Sequence, residues 1–446
     1  MTGILAYILG VLVFLVGIGL SIGLHEIGHL VPAKLFGARV SRYMIGFGPT
    51  IWSKKKGDTE YGIKLLPLGG YIAIAGMFPP SKTDAGNVDS GKRLGAGSWL
   101  RRWVESARKQ QIDQDGQYDE SKAFYRLSIP RRITIMLGGP FMNLVLGTIL
   151  ILISMSGIGA YQASNRIDHV FPCVTVSYTS TECSSTDPVS PASLAGLKAG
   201  DVVESVNGQK ITLWAPVQKL LQQKVSVIHL GVLRAGKHIS VTIKPAIEPR
   251  PVIDELTSAA VKNSDGSLRI RDRGVLGIQL AYERAPYSLG YSMSYVGMAL
   301  GQTASLVGNL PQQIGQLAVT TFTGGKRSAE GPVSVLGVGN ISGTIAENNN
   351  LDIPGKISVW LLILGSLNFA LFVFNLIPLL PLDGGHVLSA LLDLIKRGYY
   401  KVAKRVNPAP LDTAKFVPFT MVMWVVLMGM SVLVMLADII NPVSLG

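Results

Sequence analysis

Between Met1 and Ala33 the chain is apolar except at one cluster. Leu24-His25-Glu26-Ile27-Gly28-His29 holds the only Asp, Glu, His, Lys or Arg side chains of that stretch. The pattern is H-E-x-x-H, and two His four residues apart share one face of a helix. The run around it, about Ile4 to Ala33, is long enough to cross a bilayer. An ionisable group in a membrane-length helix is costly, so it marks a functional site.

Three further runs have spanning length: about Ile133 to Ala160, Ile357 to Leu382, and Phe416 to Ala437. Hydrophobic residues make up 48% of the 446 and charged residues only 15%. Soluble domains carry about 25% charged residues, so this is the composition of a membrane protein with a soluble part. No cleavable signal peptide is expected, because the N-terminus lacks a positive region and its apolar run continues into the His motif.

The net charge of +13 sets orientation rather than nucleic-acid binding. Eighteen of the 41 Lys and Arg lie between Lys34 and Arg132, and six between the third and fourth runs. None precedes Lys34 and none follows Phe416. The two basic loops are therefore expected in the cytoplasm and both termini outside, with the charge drawn to anionic lipid. The other seventeen lie in a long external region, which crosses largely regardless of charge.

The boundaries follow from these runs. Residues 1–36 form the first span, and 37–77 a membrane-associated β-hairpin region. Within it, 43–52 and 60–76 are β-prone and the charged turn 54–58 divides them. A sheet at that depth must be buried against protein or line a wet cavity. Residues 78–127 form a cytoplasmic insertion. There Trp99, Leu100 and Trp103 beside Arg101 and Arg102 make either a short interfacial helix or a solvated loop. The second span covers 128–160, and a turn-rich external domain 161–248. A linker and external helices fill 249–356, with helices at 287–322 broken at Pro311 and a Gly-rich approach at 331–343. That approach lacks the lysine pattern of a phosphate loop. The third span is 357–395, a cytoplasmic loop 396–415, and the fourth span 416–438. Cys173 and Cys183 lie in the external part, as a disulfide or as two free thiols, and an oxidising compartment favours the bridge.

H-E-x-x-H arises by chance in a chain of this length roughly once in a hundred, so it needs support. A catalytic zinc takes three protein ligands and keeps one position open. His25 and His29 supply two. The third run ends in Asn375-Leu-Ile-Pro-Leu-Leu-Pro-Leu-Asp383-Gly-Gly-His386, and Asp383 is its only acidic residue between Ser358 and Leu392. The first and third spans run in the same direction, which brings Asp383 to the depth of the His pair. Pro378 and Pro381 end or kink the helix before it, and Gly384 and Gly385 allow close backbone approach. His386 as a fourth ligand would close the site to water.

With these residues in view, the chain resembles the site-2 protease family of intramembrane zinc metalloproteases, especially bacterial members with a PDZ domain that act on anti-sigma factors. The resemblance rests on H-E-x-x-H in the first span and on Asn-x-x-Pro-x-x-Pro-Leu-Asp-Gly-Gly in the third. It is extended by the Gly-rich β region, Gly139-Pro140-Phe-Met-Asn143, and the PDZ-like Ala195-Gly196-Leu197-Lys-Ala-Gly200-Asp201. A single PDZ signature is visible where some relatives carry two, and the resemblance supplies no role for 78–127.

The implied fold is a polytopic α-helical membrane protein with four transmembrane helices, the β-hairpin region, and an extracytoplasmic PDZ-like α+β domain. The implied activity is zinc-dependent cleavage of single-pass membrane segments, such as those of anti-sigma factors, after a first cut. The bilayer of the cell membrane is the setting, and nucleic acid is no partner. His25, His29 and Asp383 would bind Zn2+ and Glu26 would be the general base. Asn375, Asn368, Asn143, Gly69 and Gly70 are candidate substrate contacts, the Asn residues having interhelical packing as their alternative role. The hairpin would hold an unwound substrate by strand addition. Two other classes stand beside this one. A zinc-binding scaffold or chaperone has no need of Glu26, and an ion transporter would be expected to show inverted repeats that are not seen.

Overall fold

The computed structural model describes residues 2–79, 98–115, 119–175, 183–223, 225–254, 260–261, 263, 265, 267–325, 327, 331–405 and 410–441. It forms two compact units: Met1–Ser154 with Val296–Gly446, and Met155–Tyr295. Among the described residues, four helical stretches are long and apolar enough to cross a membrane: Gly3–Leu35, Ile129–Ile158, Ile353–Asn375 and Thr413–Ile440. They fall on the four apolar runs. A helix is the form in which such a run satisfies its own backbone in lipid.

In the first unit, α1 (Thr2–Leu35) is followed by β1 (Val40–Lys56) and β2 (Thr59–Ile74). The strands are longer than the sequence suggests, and the turn shrinks to Gly57-Asp58. Each strand also folds back on the other. Arg42–Ile45 has partners in Gly70–Ala73 and again in Glu60–Ile63, while Trp52–Lys56 pairs with Thr59–Ile63. The 70–74 run therefore has strand partners on one side only and forms an edge.

Helix α2 (Ser98–Asp115) settles the choice at Trp103 in favour of a helix. The side chains of Trp99, Leu100 and Arg101, and residues 80–97 and 116–118 of the expected insertion, lie outside the described residues. The end of that insertion is no solvated loop. Two 3-10 turns, Glu120–Lys122 and Phe124–Arg126, place Phe124 and Leu127 in one core with Leu30, Val40, Ile135 and Met136. The backbone N–H groups of Phe124 and Tyr125 donate to the Ala75 and Gly76 carbonyls. Helix α3 (Ile129–Leu152) then crosses α1 where two glycines meet. A methyl on Gly28 would overlap the Gly138 carbonyl, and one on Gly138 would overlap that of Gly28. Small residues at such crossings let helices in lipid pack backbone to backbone.

The second unit contains β3 (Ala160–Val170), α4 (Pro191–Leu194), β4 (Val202–Val206), β5 (Gln209–Lys210) and α5 (Ala215–Gln222). It continues with β6 (Ile228–Arg234), β7 (Lys237–Ile243), β8 (Ala246–Pro251), β9 (Ile270–Val275) and β10 (Ile278–Ala285). The main sheet runs β10-β3-β4-β6-β7, with β5 on β4. Its core is built from inward residues such as Ile167, Val203, Val217, Leu230 and Ile243. The turns at Asn207-Gly208 and between Arg234 and Lys237 are where the sequence placed them, with Asn207, Ala235 and both following glycines at positive φ. The boundary at 248 was too early. The expected linker pairs as β8 with β9, and β10 completes the sheet along β3. Its charged residues, as in Ile270-Arg-Asp-Arg-Gly-Val275, hide a strand that is polar on both sides. Cys173 and Cys183 are disulfide-bonded.

The chain continues through α6 (Leu289–Gly308), α7 (Leu310–Thr323), α8 (Val335–Glu347), α9 (Ile353–Asn375), α10 (Asp383–Val402) and α11 (Val417–Ile440). The Gly-rich 331–343 stretch is mostly helix α8, not a loop. Its glycines accept α1 at close range, since a methyl on Gly343 would overlap the Tyr7 ring and one on Gly10 the Ser342 carbonyl. The third span is also corrected. It ends at Asn375 rather than near 395, and residues 376–382 are not helical. Pro378 and Pro381 remove donors and forbid helical continuation there. Asp383 opens a new helix, α10, fastened to α3 by a buried ion pair, Arg132 Nη2 to Asp393 Oδ2 at 2.5 Å.

In the second unit Asp201 is buried, and its carboxylate accepts from Arg234 Nε and Nη2 at 2.7 Å each and from the Lys198 N–H at 2.8 Å. Burial raises its pKa, but the Arg234 and Lys198 bonds outweigh that and hold it below the usual carboxylate value. A depressed carboxyl stabilises the fold above its unfolded pKa and loses that contribution as pH falls through the folded one. Asp201→Asn is expected to destabilise this unit by about 2 kcal/mol at neutral pH. The difference from wild type should persist down to about pH 4 and vanish below it. Pulse proteolysis in urea at stepped pH measures both.

Candidate metal centre

Helix α1 presents His25, Glu26 and His29 to a cavity of about 500 Å³. Asp383, at the first turn of α10, enters the same space. The three donor atoms form a nearly equilateral triangle. His25 Nε2 and His29 Nε2 are 3.2 Å apart, and each lies 3.3 or 3.4 Å from Asp383 Oδ2. Tetrahedral ligands about 2.0–2.1 Å from a zinc ion would lie roughly 3.3–3.4 Å from one another. The triangle has that edge. Asp383 Oδ2 is buried without a hydrogen-bond partner, and a cation on the triangle would satisfy it. Two imidazoles and one carboxylate are a zinc donor set that leaves a fourth position open.

The far nitrogens of both rings are held from α3. His29 Nδ1 lies 2.7 Å from the Ile135 carbonyl oxygen and donates to it, which leaves Nε2 with its lone pair toward the triangle. His25 Nδ1 lies 3.0 Å from the Asn143 side-chain amide. Ligation through Nε2 leaves Nδ1 protonated, so the amide must present its oxygen to it. Gly139 stands beside both rings. A methyl there would overlap His29 Nε2 and press on His25 Cε1. Glycine therefore allows α3 to approach the space between the ligands.

The sequence-derived residues divide into two groups. His25, His29 and Asp383 converge, and Glu26, Gly69, Gly70 and Asn375 line the same cavity. Gly70 lies directly beside Glu26, where a Cβ would sit 3.3 Å from Glu26 Cγ. His386 also lines the cavity but is not in the ligand triangle. Asn143 and Asn368 do not line the cavity; both are fully buried and bonded as the packing alternative expects. Asn143 holds His25. Asn368 donates to Ser21 Oγ at 3.0 Å and to the Leu364 carbonyl at 2.7 Å, joining α9 to α1. Gly384 and Gly385 pack against the 376–382 backbone, where methyls would overlap the Ile377 carbonyl and the Leu380 N–H. Their job is to seat the loop on α10.

Two supports were invisible in the chain order. Ile135 acts through its carbonyl, which any residue type provides. Gly139 acts by lacking a side chain, and its only signal was its place in the Gly139-Pro140-Phe-Met-Asn143 pattern.

The family model for "Peptidase family M50" matches residues 13–410. Among curated proteins, the chain is 28% identical over 448 residues to the "Zinc metalloprotease Rip1" of Mycobacterium tuberculosis strain H37Rv, covering 98% of this chain and 99% of that one. It is 28% identical over 450 residues to the protein of the same name from Mycolicibacterium smegmatis, covering 98% of each. It is 25% identical over 423 residues to "Metalloprotease MmpA" of Caulobacter vibrioides, covering 92% of each. With a match of that extent and the ligand triangle on the residues that the family motifs supply, the chain belongs to peptidase family M50.

Proposed function

We propose that the chain is a zinc-dependent intramembrane endopeptidase. The observation that carries this reading is the His25–His29–Asp383 triangle, with Glu26 in the same cavity, built among helices of membrane-spanning length. Bound there, zinc would supply Lewis acidity and bring the pKa of a water near 7. Glu26 would take the proton of the attacking water and return it to the leaving amine. The Ile135 carbonyl and Asn143 would keep the imidazoles in the required tautomer.

A transmembrane helix conceals its carbonyls, so substrate must arrive unwound. The 70–74 edge, part of which lines the cavity, supports strand addition as the way it is held. Gly70 brings its backbone close to Glu26, and Asn375 would offer an amide to the substrate backbone. This would favour segments with helix-destabilising residues.

The substrates are proposed to be single-pass membrane proteins of the anti-sigma-factor kind, cut once before they reach this site, as in a regulated stress response. The sheet unit is proposed to be a PDZ-like domain that filters or docks such substrates outside the cell membrane. Both termini would lie on that side, with the metal site toward the cytoplasm. A scaffold that binds without cutting is the second class, and Glu26 in the cavity speaks against it.

Glu26→Gln is expected to lower cleavage of a single-span substrate by about a hundredfold or more while zinc content stays near one per chain. Cleavage that survives this change, or survives a chelator, would overturn the mechanism. Asp383→Asn should lose zinc by elemental analysis while the chain still inserts in membranes. Full retention would mean that the third ligand is another residue. Asn143→Ala should bind zinc about 10- to 100-fold more weakly, since it removes the partner that orients His25. A substrate contact would instead raise KM and leave zinc affinity alone.

A further inference from the structure

Helix α10 has two faces of opposite character. Toward the protein it turns His386, Ser389, Ala390 and Asp393, the last fully buried and paired with Arg132. On the other side Leu388, Leu391, Leu392, Ile395, Tyr399 and Val402 recur at helical spacing. Their exposures run from 38% at Leu388 to 85% at Val402. The outward face of this helix is thus apolar from end to end. Lys396 and Lys401 border the stripe on opposite sides at 100° per residue.

The depth of this helix can be read from its contacts. The metal site is level with Asn143 on α3, through His25. The Arg132–Asp393 pair lies at the first turn of α3. From Asn143 back to Arg132 is about 16 Å of helix, and from Asp383 to Asp393 about 15 Å. So α10 runs back along α3, from the metal site to where that span begins, over about half of a hydrocarbon core near 30 Å thick. Past Asp393 the apolar stripe continues through Ile395, Tyr399 and Val402. An upright helix would carry those residues into water, whereas a tilted one keeps them in the interface.

We propose that α10 runs obliquely from the metal site into the membrane interface, its outer face in lipid and Lys401 on anionic headgroups, and that this seat sets the position of Asp383. Lipid is the occupant that the surface fits. The stripe is apolar and exposed, Lys401 offers a cation for anionic headgroups, and Tyr399 lies past the level at which α3 begins, where such rings are favoured. The second half of the proposal rests on the zinc reading above, and the first half does not.

Both native Cys are bonded to each other, so an added Cys can be labelled alone. Leu391→Cys and Val402→Cys, carrying a polarity-sensitive fluorophore, are placed in nanodiscs that contain anionic lipid. Quenching by nitroxide lipids at both positions, with little by iodide, is expected. Iodide quenching at Val402 would mean an upright helix, and shielding from both quenchers would mean a protein cover such as a second copy. Either overturns the lipid seat.

For the zinc half, Ile395→Asp with Tyr399→Asp should retain zinc about tenfold less well under chelator challenge, while Ile395→Leu with Tyr399→Phe should match wild type. Wild-type chain should also release zinc more slowly in anionic than in zwitterionic nanodiscs. Equal retention by both pairs, or equal release in both lipids, would overturn the link to Asp383. None of these readouts is proteolysis, so they stand or fall apart from the peptidase reading.

Discussion

Three imidazoles and two carboxylates share one cavity among apolar helices, and most of the first unit can be understood as a response to that. A buried charge without a partner is expensive, and an apolar bundle offers few partners. The cluster is tolerable because the two rings are held from outside and the donors left over face one another. The Nδ1 atoms are held by Ile135 and Asn143, and the inner donors converge on a space of cation size. Bringing α3 that close to α1 requires a crossing with no side chains in it. Gly28, Gly138 and Gly139 provide it. A leucine at any of these positions would push away the helix that orients the ligands.

The same constraint shapes the sheet. Backbone groups near lipid need partners, so an open hairpin there would be unstable. Here the strands fold over each other, and 119–127 closes one end through the Ala75 and Gly76 carbonyls. The 70–74 run is left with strand partners on one side only, and its Gly70–Ile72 part lines the cavity. The sheet has a second edge at Trp52–Lys56, and the edge at 70–74 is the one beside Glu26, where a peptide would meet it.

Much of this could be read in the chain. The four spans showed in length and hydropathy. The ligands showed because His25, His29 and Asp383 are ionisable groups in apolar surroundings, where each stands out. The supports were harder to see. Asn143 and Asn368 looked like substrate contacts because a polar side chain in a span has two uses, packing or binding, and sequence does not distinguish them. The break after Asn375 was signalled by Pro378 and Pro381, but the apolar character of Leu388 to Ile395 concealed that a second helix had begun. The β8–β9 pair was missed for the opposite reason. With charges on both sides of the strand, the alternation that marks a half-buried strand is absent.

Asp383, the proposed third ligand, sits differently from the His pair. His25 and His29 belong to one long helix and are fixed relative to each other by its geometry. Asp383 belongs to a separate helix of 20 residues, joined to α9 by a seven-residue break and fastened to α3 through the Arg132–Asp393 ion pair. Three links therefore form a ring: α1 to α3 through the glycine crossing, α3 to α10 through Arg132 and Asp393, and α10 to α1 through the metal site. The first two do not involve metal. Metal bound at these residues would thus act on the last link rather than on the fold of the whole bundle, unlike small zinc domains whose folding free energy is the metal's own. Whatever shifts α10 would shift Asp383 against a His pair fixed on α1, so this separate helix is where the site can be tuned without disturbing the spans.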